Sequence, residues 1–167
     1  MQLRDLLDEL PRGNDAVIPL ALQQLLRQDL NIKEDWQTAE QLLLKAQIML
    51  PEQLEVKIAL YKLYAYSNRF EESLRLINEV LNTVAGQEGF DRDWRTLTVT
   101  TACWYPAVGR LRYFLYSLKA SGFVYLRSGD IDQAYAVLRK LLELDPQDQV
   151  GGSVVLELAQ GLMEEES

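Results

Sequence analysis

The chain has 167 residues, 48% of them apolar, with a mean hydropathy of −0.14 and a net charge of −8. That length supports one domain with its own core, and the composition excludes a disordered chain. With no histidine and a single cysteine, Cys103, the chain lacks the commonest general base, metal ligand and pH switch, and any internal disulfide framework.

No apolar run approaches the ~20 residues of a membrane span, and no signal-peptide pattern is present. A lone thiol suits a reducing compartment, so a cytoplasmic location is expected. The charge is uneven. Residues 88–128 carry 6 basic and 3 acidic side chains, against 9 and 13 in residues 1–87 and 2 and 9 in residues 129–167. An acidic chain is a poor match for nucleic-acid phosphates. Its cationic middle either attracts an acidic partner or solvates a surface.

Residues 1–10 place Leu3, Leu6, Leu7 and Leu10 on one helical face. The PRGND turn over 11–15 precedes a helix expected over 15–30, with Pro19 in its first turn. Another helix is expected from near Asp35, where Trp36, Ala39, Leu43 and Ala46 recur at helical spacing before Pro51. From Leu54 a helical pattern shows Leu60 and Tyr64, then Phe70, Ser73, Ile77 and Val80. Asn68 between them is a plausible left-handed stop.

Residues 88–105 break that pattern. GQEGFDRDW reads as a loop, and LTVTTACWY over 97–105 fits either a strand or an irregular packed loop. Pro106 looks like a helix start, and one helix is expected over 107–128. It would be about 33 Å long, its first turns projecting past its neighbours. Gly129 supplies a left-handed stop and Asp130 a new cap. Asp145-Pro146 is expected to repeat that device, with proline at the first helical position. The final helix, over about 149–163, carries Val150, Val154, Val155, Leu158 and Leu162. Gly151-Gly152 delays or bends it.

The stretch over 118–146, LKASGFVYLRSGDIDQAYAVLRKLLELDP, resembles a tetratricopeptide repeat. Leu118, Ser121, Gly122, Tyr125, Ala134, Leu138, Leu141 and Pro146 sit where that family's helix-turn-helix repeat needs each residue type. The same register places repeats at about 20–53, 54–87 and 115–148, with 88–114 as an insertion of 27 residues and residues 1–10 and 149–163 as capping helices. The second repeat departs from the pattern, with Tyr61 at the small position and Ala85 in place of proline. Arg27 departs in the first. The resemblance implies an all-α, TPR-like helix-turn-helix solenoid forming a single domain.

The resemblance also implies a concave groove lined by the first helix of each repeat. In the third repeat its positions are Tyr116, Lys119, Phe123, Leu126 and Arg127. In the second they are Glu55, Ile58, Lys62, Ala65 and Tyr66, and in the first Ala21, Gln24, Gln28, Asn31 and Ile32. Lys62, Tyr66, Tyr116, Lys119, Phe123 and Arg127 would make a partner-binding groove of aromatic faces and cations. Alternatively, the aromatics are partly core, and the final helix or the insertion fills the groove. Gln24 and Gln28 stand where one subgroup places the lysine and asparagine that clamp chaperone tails, so that clamp is absent.

The insertion offers a second partner surface: Arg92, Trp94, Arg95, Trp104, Tyr105, Arg110, Arg112 and Tyr113, an aromatic and arginine-rich set. Equally, it is a packed loop covering a helix edge. Cys103 without histidine reads as a small buried apolar residue rather than a nucleophile. No phosphate loop, metal-ligand motif or nucleophile elbow appears, so neither cofactor nor metal is expected.

The expected function is a non-enzymatic protein–protein interaction module, an adaptor or dedicated chaperone. Its expected partner is another protein or a peptide segment, an acidic one among the candidates. A self-associating structural subunit is the alternative. Secretion-type chaperones resemble the chain in size and acidity but lack the insertion, and an enzyme fits least.

Overall fold

The computed structural model describes residues 32–166. The helices expected over 1–10 and 15–30, and the groove positions of the first repeat, lie outside the described residues.

Within them the chain is all-α, with six α-helices, one short 3-10 helix and no strand. They are α1 (Ile32–Met49), α2 (Leu54–Tyr66), α3 (Phe70–Glu88), the 3-10 turn Trp94–Thr96, α4 (Arg110–Ser128), α5 (Ile131–Leu144) and α6 (Gly152–Glu166). In α1, Ala39, Leu43 and Ala46 recur every three or four residues and are buried together. Non-helical angles at Asp35 (φ −115°, ψ 26°) interrupt its first turn.

α2 is buried nearly all round, from Ile58 through Ala65, as expected of the central helix of a core. α3 and α5 instead bury one stripe each, through Leu76, Ile77, Val80 and Val84 and through Ala134, Val137, Leu138 and Leu141. Two helix stops are built alike. Asn68 (φ 62°) and Gly129 (φ 91°) adopt the left-handed conformation. The following amide reaches back to a tyrosine carbonyl in each: Arg69 N to Tyr64 O at 2.8 Å, and Asp130 N to Tyr125 O at 2.9 Å. These six-to-one bonds satisfy carbonyls that each helix end would leave unpaired.

Each helix packs on the next. Among the described residues α2 also touches α4, and α4 touches α6, whereas α1, α3 and α5 do not touch one another. The helices thus form two layers, and the α2/α4/α6 layer is the tighter one. Gly122 sets the approach of α4 to α5, since a Cβ there would fall 2.5 Å from Leu138 Cγ. Tyr61, by contrast, reaches from α2 to α4. Its fully buried hydroxyl lies 3.0 Å from Ser117 Oγ.

Three expectations are corrected. α4 begins at Arg110, not 107, because Gly109 (φ 58°, ψ −133°) cannot continue a helix. Its first turns do not project; Tyr113 and Phe114 are buried. Asp145-Pro146 does not start a helix. Residues 145–151 form a turn, with Asp148 (φ 56°) and Gly151 (φ 75°) in left-handed conformations, and α6 starts at Gly152.

Candidate functional site

The insertion is a packed loop with no strand. Leu97, Trp104 and Ala107 are its buried anchors. Trp104, Phe90 and Phe114 form a ring cluster with centroids 5.2 to 5.7 Å apart. The Trp104 indole N–H donates to Thr98 O at 3.0 Å, and Lys140 Nζ donates to Leu97 O at 2.8 Å.

Gln149 is the main tether. Its Nε2 donates to Trp104 O at 2.7 Å and to Asp145 Oδ1 at 2.9 Å, and its Oε1 accepts from Ala107 N at 2.8 Å. Asp145, fully buried, also accepts from the amides of Gln149 and Val150. The turn before α6 thereby clasps the insertion. Sequence reasoning missed Gln149, whose role depends on two loops meeting across 45 residues.

The proposed insertion surface divides accordingly. Trp104 and Tyr113 are only 4% and 5% exposed, so they are core residues and not surface anchors. The Tyr113 hydroxyl donates to Glu55 Oε1 at 2.8 Å. Burial, and then the Glu55 carboxylate, raises its pKa above the ordinary tyrosine value. Arg112 donates to Gln149 O at 3.2 Å. Arg110 pairs with Glu88. Arg92 and Tyr105 are exposed, and Arg95 lies over the half-buried Trp94 ring at 4.5 Å. Cys103, expected to be buried, is exposed, because the chain turns Trp104 inward beside it.

The groove residues converge better. A cavity of about 460 Å³ opens between α2, α4 and α6. Lys62, Tyr66, Tyr116, Lys119 and Phe123 line it, together with Tyr61, Ala65, Ala120 and Val124. Gly151, Val154 and Val155 form its third wall, so the final helix, expected either to cap the row or to fill the groove, borders it. Both lysines approach one ring: Lys62 Nζ lies 5.7 Å and Lys119 Nζ 5.5 Å from the Tyr116 centroid. Tyr66 and Phe123 form a tilted pair at 6.4 Å.

Arg127 stands off the lining. It lies over Phe123 at 5.7 Å and donates to Asn68 Oδ1 at 2.8 Å. Of the other groove positions, Ile58 is core and Glu55 belongs to Tyr113. Among the described residues no acidic side chain lines the cavity, although the protein as a whole carries −8. This arrangement can bury apolar and aromatic surface and sets cationic side chains against it. Among the described residues no cluster of His, Cys, Asp or Glu is arranged to hold a metal. No helix there is long and apolar enough to cross a membrane.

A protein of Azotobacter chroococcum mcd 1, described as an uncharacterized 19.8 kDa protein in the nifW 5′ region, is 32% identical over 123 residues. The match covers 72% of this chain and 69% of that protein. The chain belongs to that protein's family. No family model and no solved structure matches.

Proposed function

We propose that the chain is a TPR-like row of α-hairpins in a single domain. In this reading it is a cytoplasmic, non-enzymatic protein–protein interaction module, an adaptor or dedicated chaperone, that grips a segment of another protein in the α2/α4/α6 groove. The observation that carries this is the groove itself: an apolar and aromatic floor whose charged lining, among the described residues, is Lys62 and Lys119. Such a surface gains from burying partner aromatics or aliphatics and from pairing partner carboxylates, so an acidic, partly apolar segment fits best.

The two helix stops support the repeat reading. Asn68 and Gly129 are separated by one 34-residue period plus the 27 inserted residues, and both carry the same left-handed stop. Of the insertion, Arg92, Trp94, Arg95, Tyr105 and Arg110 remain accessible for a second contact. The relative's name places it in the nifW 5′ region; products of genes adjoining this chain's own are therefore the first proteins to test.

The experiment is a double charge reversal, Lys119→Glu with Arg127→Glu, followed by affinity capture from native lysate and mass spectrometry. Both side chains are on the surface side of α4, so the variant should keep the wild-type helical signal. Loss of the captured partner supports the reading. Undiminished capture refutes the groove as the binding surface.

A further inference from the structure

α6 packs on α5 and buries Val155 and Ala159. It also exposes a second apolar stripe. Val154, Leu158 and Leu162 follow one another at i, i+4 and i+8, and are 62%, 55% and 37% exposed. Three large aliphatics in line on one exposed helix face are more than the scattered apolar residues of an ordinary surface. Gly161 lies beside that stripe, and a Cβ there would meet nothing within 4 Å. A helix-weakening glycine with no neighbour among the described residues leaves space beside the stripe for another helix.

Charge indicates which helix. α6 has no lysine or arginine and ends in Glu164-Glu165-Glu166. The groove it borders has lysines as its charged lining. The acidic, apolar-striped helix and the cationic groove are complementary, yet they belong to one chain, where α6 is already fixed as the groove wall. A second copy resolves this. If two α6 helices run antiparallel about Leu158, Leu162 of one faces Val154 of the other, and Glu165 faces Gly151. Lys119 Nζ sits 3.8 Å from where a Cβ on Gly151 would be. The carboxylate of one copy thus reaches the lysine of its partner, twice, as a twofold axis requires.

We propose that two copies of this chain associate through antiparallel α6 helices, each covering the other's groove, with Glu165 of one copy paired to Lys119 of the other. One helix face and one groove make a modest interface beside the roughly 800 Å² per partner of a standard one. The dimer is therefore concentration-dependent. It would compete with any partner for the groove but does not depend on the partner-binding reading.

The test is sedimentation velocity of the full chain over a concentration series, with helical content checked by circular dichroism. Wild type should show a monomer–dimer equilibrium. Leu158→Glu, which sets two carboxylates face to face on the axis, should weaken it by about tenfold or more. Lys119→Glu should weaken it by about two- to fivefold, the size of a partly exposed ion pair. Adding Glu165→Lys to that variant should restore it. A wild-type chain that stays monomeric to about 1 mM, the weak limit of specific association, overturns the proposal. So does a dimer indifferent to Leu158→Glu. A monomeric chain that still captures a foreign acidic helix through Lys119 also overturns it, while leaving the partner-binding reading intact.

Discussion

Replacing Gly122 by alanine tests the close approach of α4 to α5. The new methyl group would lie 2.5, 2.6 and 3.0 Å from Leu138 Cγ, Cδ2 and Cδ1. Leu138 is fully buried, so its side chain has no empty space to move into. Overpacking of this kind costs about 1–3 kcal/mol. The gain in helix propensity from glycine to alanine returns about 1 kcal/mol. The net is a loss of about 0–2 kcal/mol, or up to roughly 8 °C in Tm for a chain of this size. Urea denaturation should show a lower midpoint with an unchanged slope. Gly86→Ala is the control: that position is exposed on α3, and a Cβ there meets nothing within 4 Å. It should stabilise by up to about 1 kcal/mol. If both substitutions stabilise equally, the α4–α5 contact is not as close as described, and the register built on Gly122 fails.

Gln149→Ala removes three side-chain hydrogen bonds, two of which hold the insertion. It should cost about 1–3 kcal/mol, speed hydrogen exchange at the Ala107 amide and open residues 98–106 to protease, with α2 and α3 unaffected. Trp104→Ala should cost about 3–5 kcal/mol as a core truncation, whereas Trp94→Ala, at a half-buried site, should cost far less; equal losses would contradict the division of the insertion described above. Three tyrosines govern alkaline stability. Burial raises the pKa of Tyr61 and Tyr113, and burial with the Glu40 carboxylate pushes Tyr64 up to about 12. A folded-state pKa above the unfolded value of about 10 favours the protonated native form. That stability is intact below pH 10 and is lost as pH rises through the folded values. Absorbance at 295 nm should show these tyrosines ionising later than the exposed ones, and Tyr61→Phe should remove part of the alkaline loss.

Much of the helical frame was legible because its signals are local. Gly129 and Asn68 announce their stops through backbone preference, and the periodic apolar positions of α3 and α5 announce their buried faces. Boundaries failed where the deciding residue was a glycine whose φ sign no periodicity reveals, as at Gly109, or where a buried carboxylate organises a turn, as at Asp145. The groove was legible through Lys62, Tyr66, Tyr116, Lys119 and Phe123, which lie on adjoining first helices. Its third wall was legible only as the alternative in which the final helix fills the groove, because whether α6 borders a groove or merely caps a row depends on the turn at 145–151. The insertion was the least legible. Trp94 and Trp104 look alike in sequence, and only the meeting of Phe90, Phe114 and Gln149 turns one inward.

The most direct measurement places a photo-crosslinking amino acid at Phe123, inside the groove, and in a second variant at Tyr135, on the outer helix α5. Irradiation in native lysate should yield a foreign-protein adduct from position 123 and none from position 135. Foreign adducts from position 135 alone, or from neither position, would contradict the assignment of the α2/α4/α6 groove as the place where this protein holds its partner.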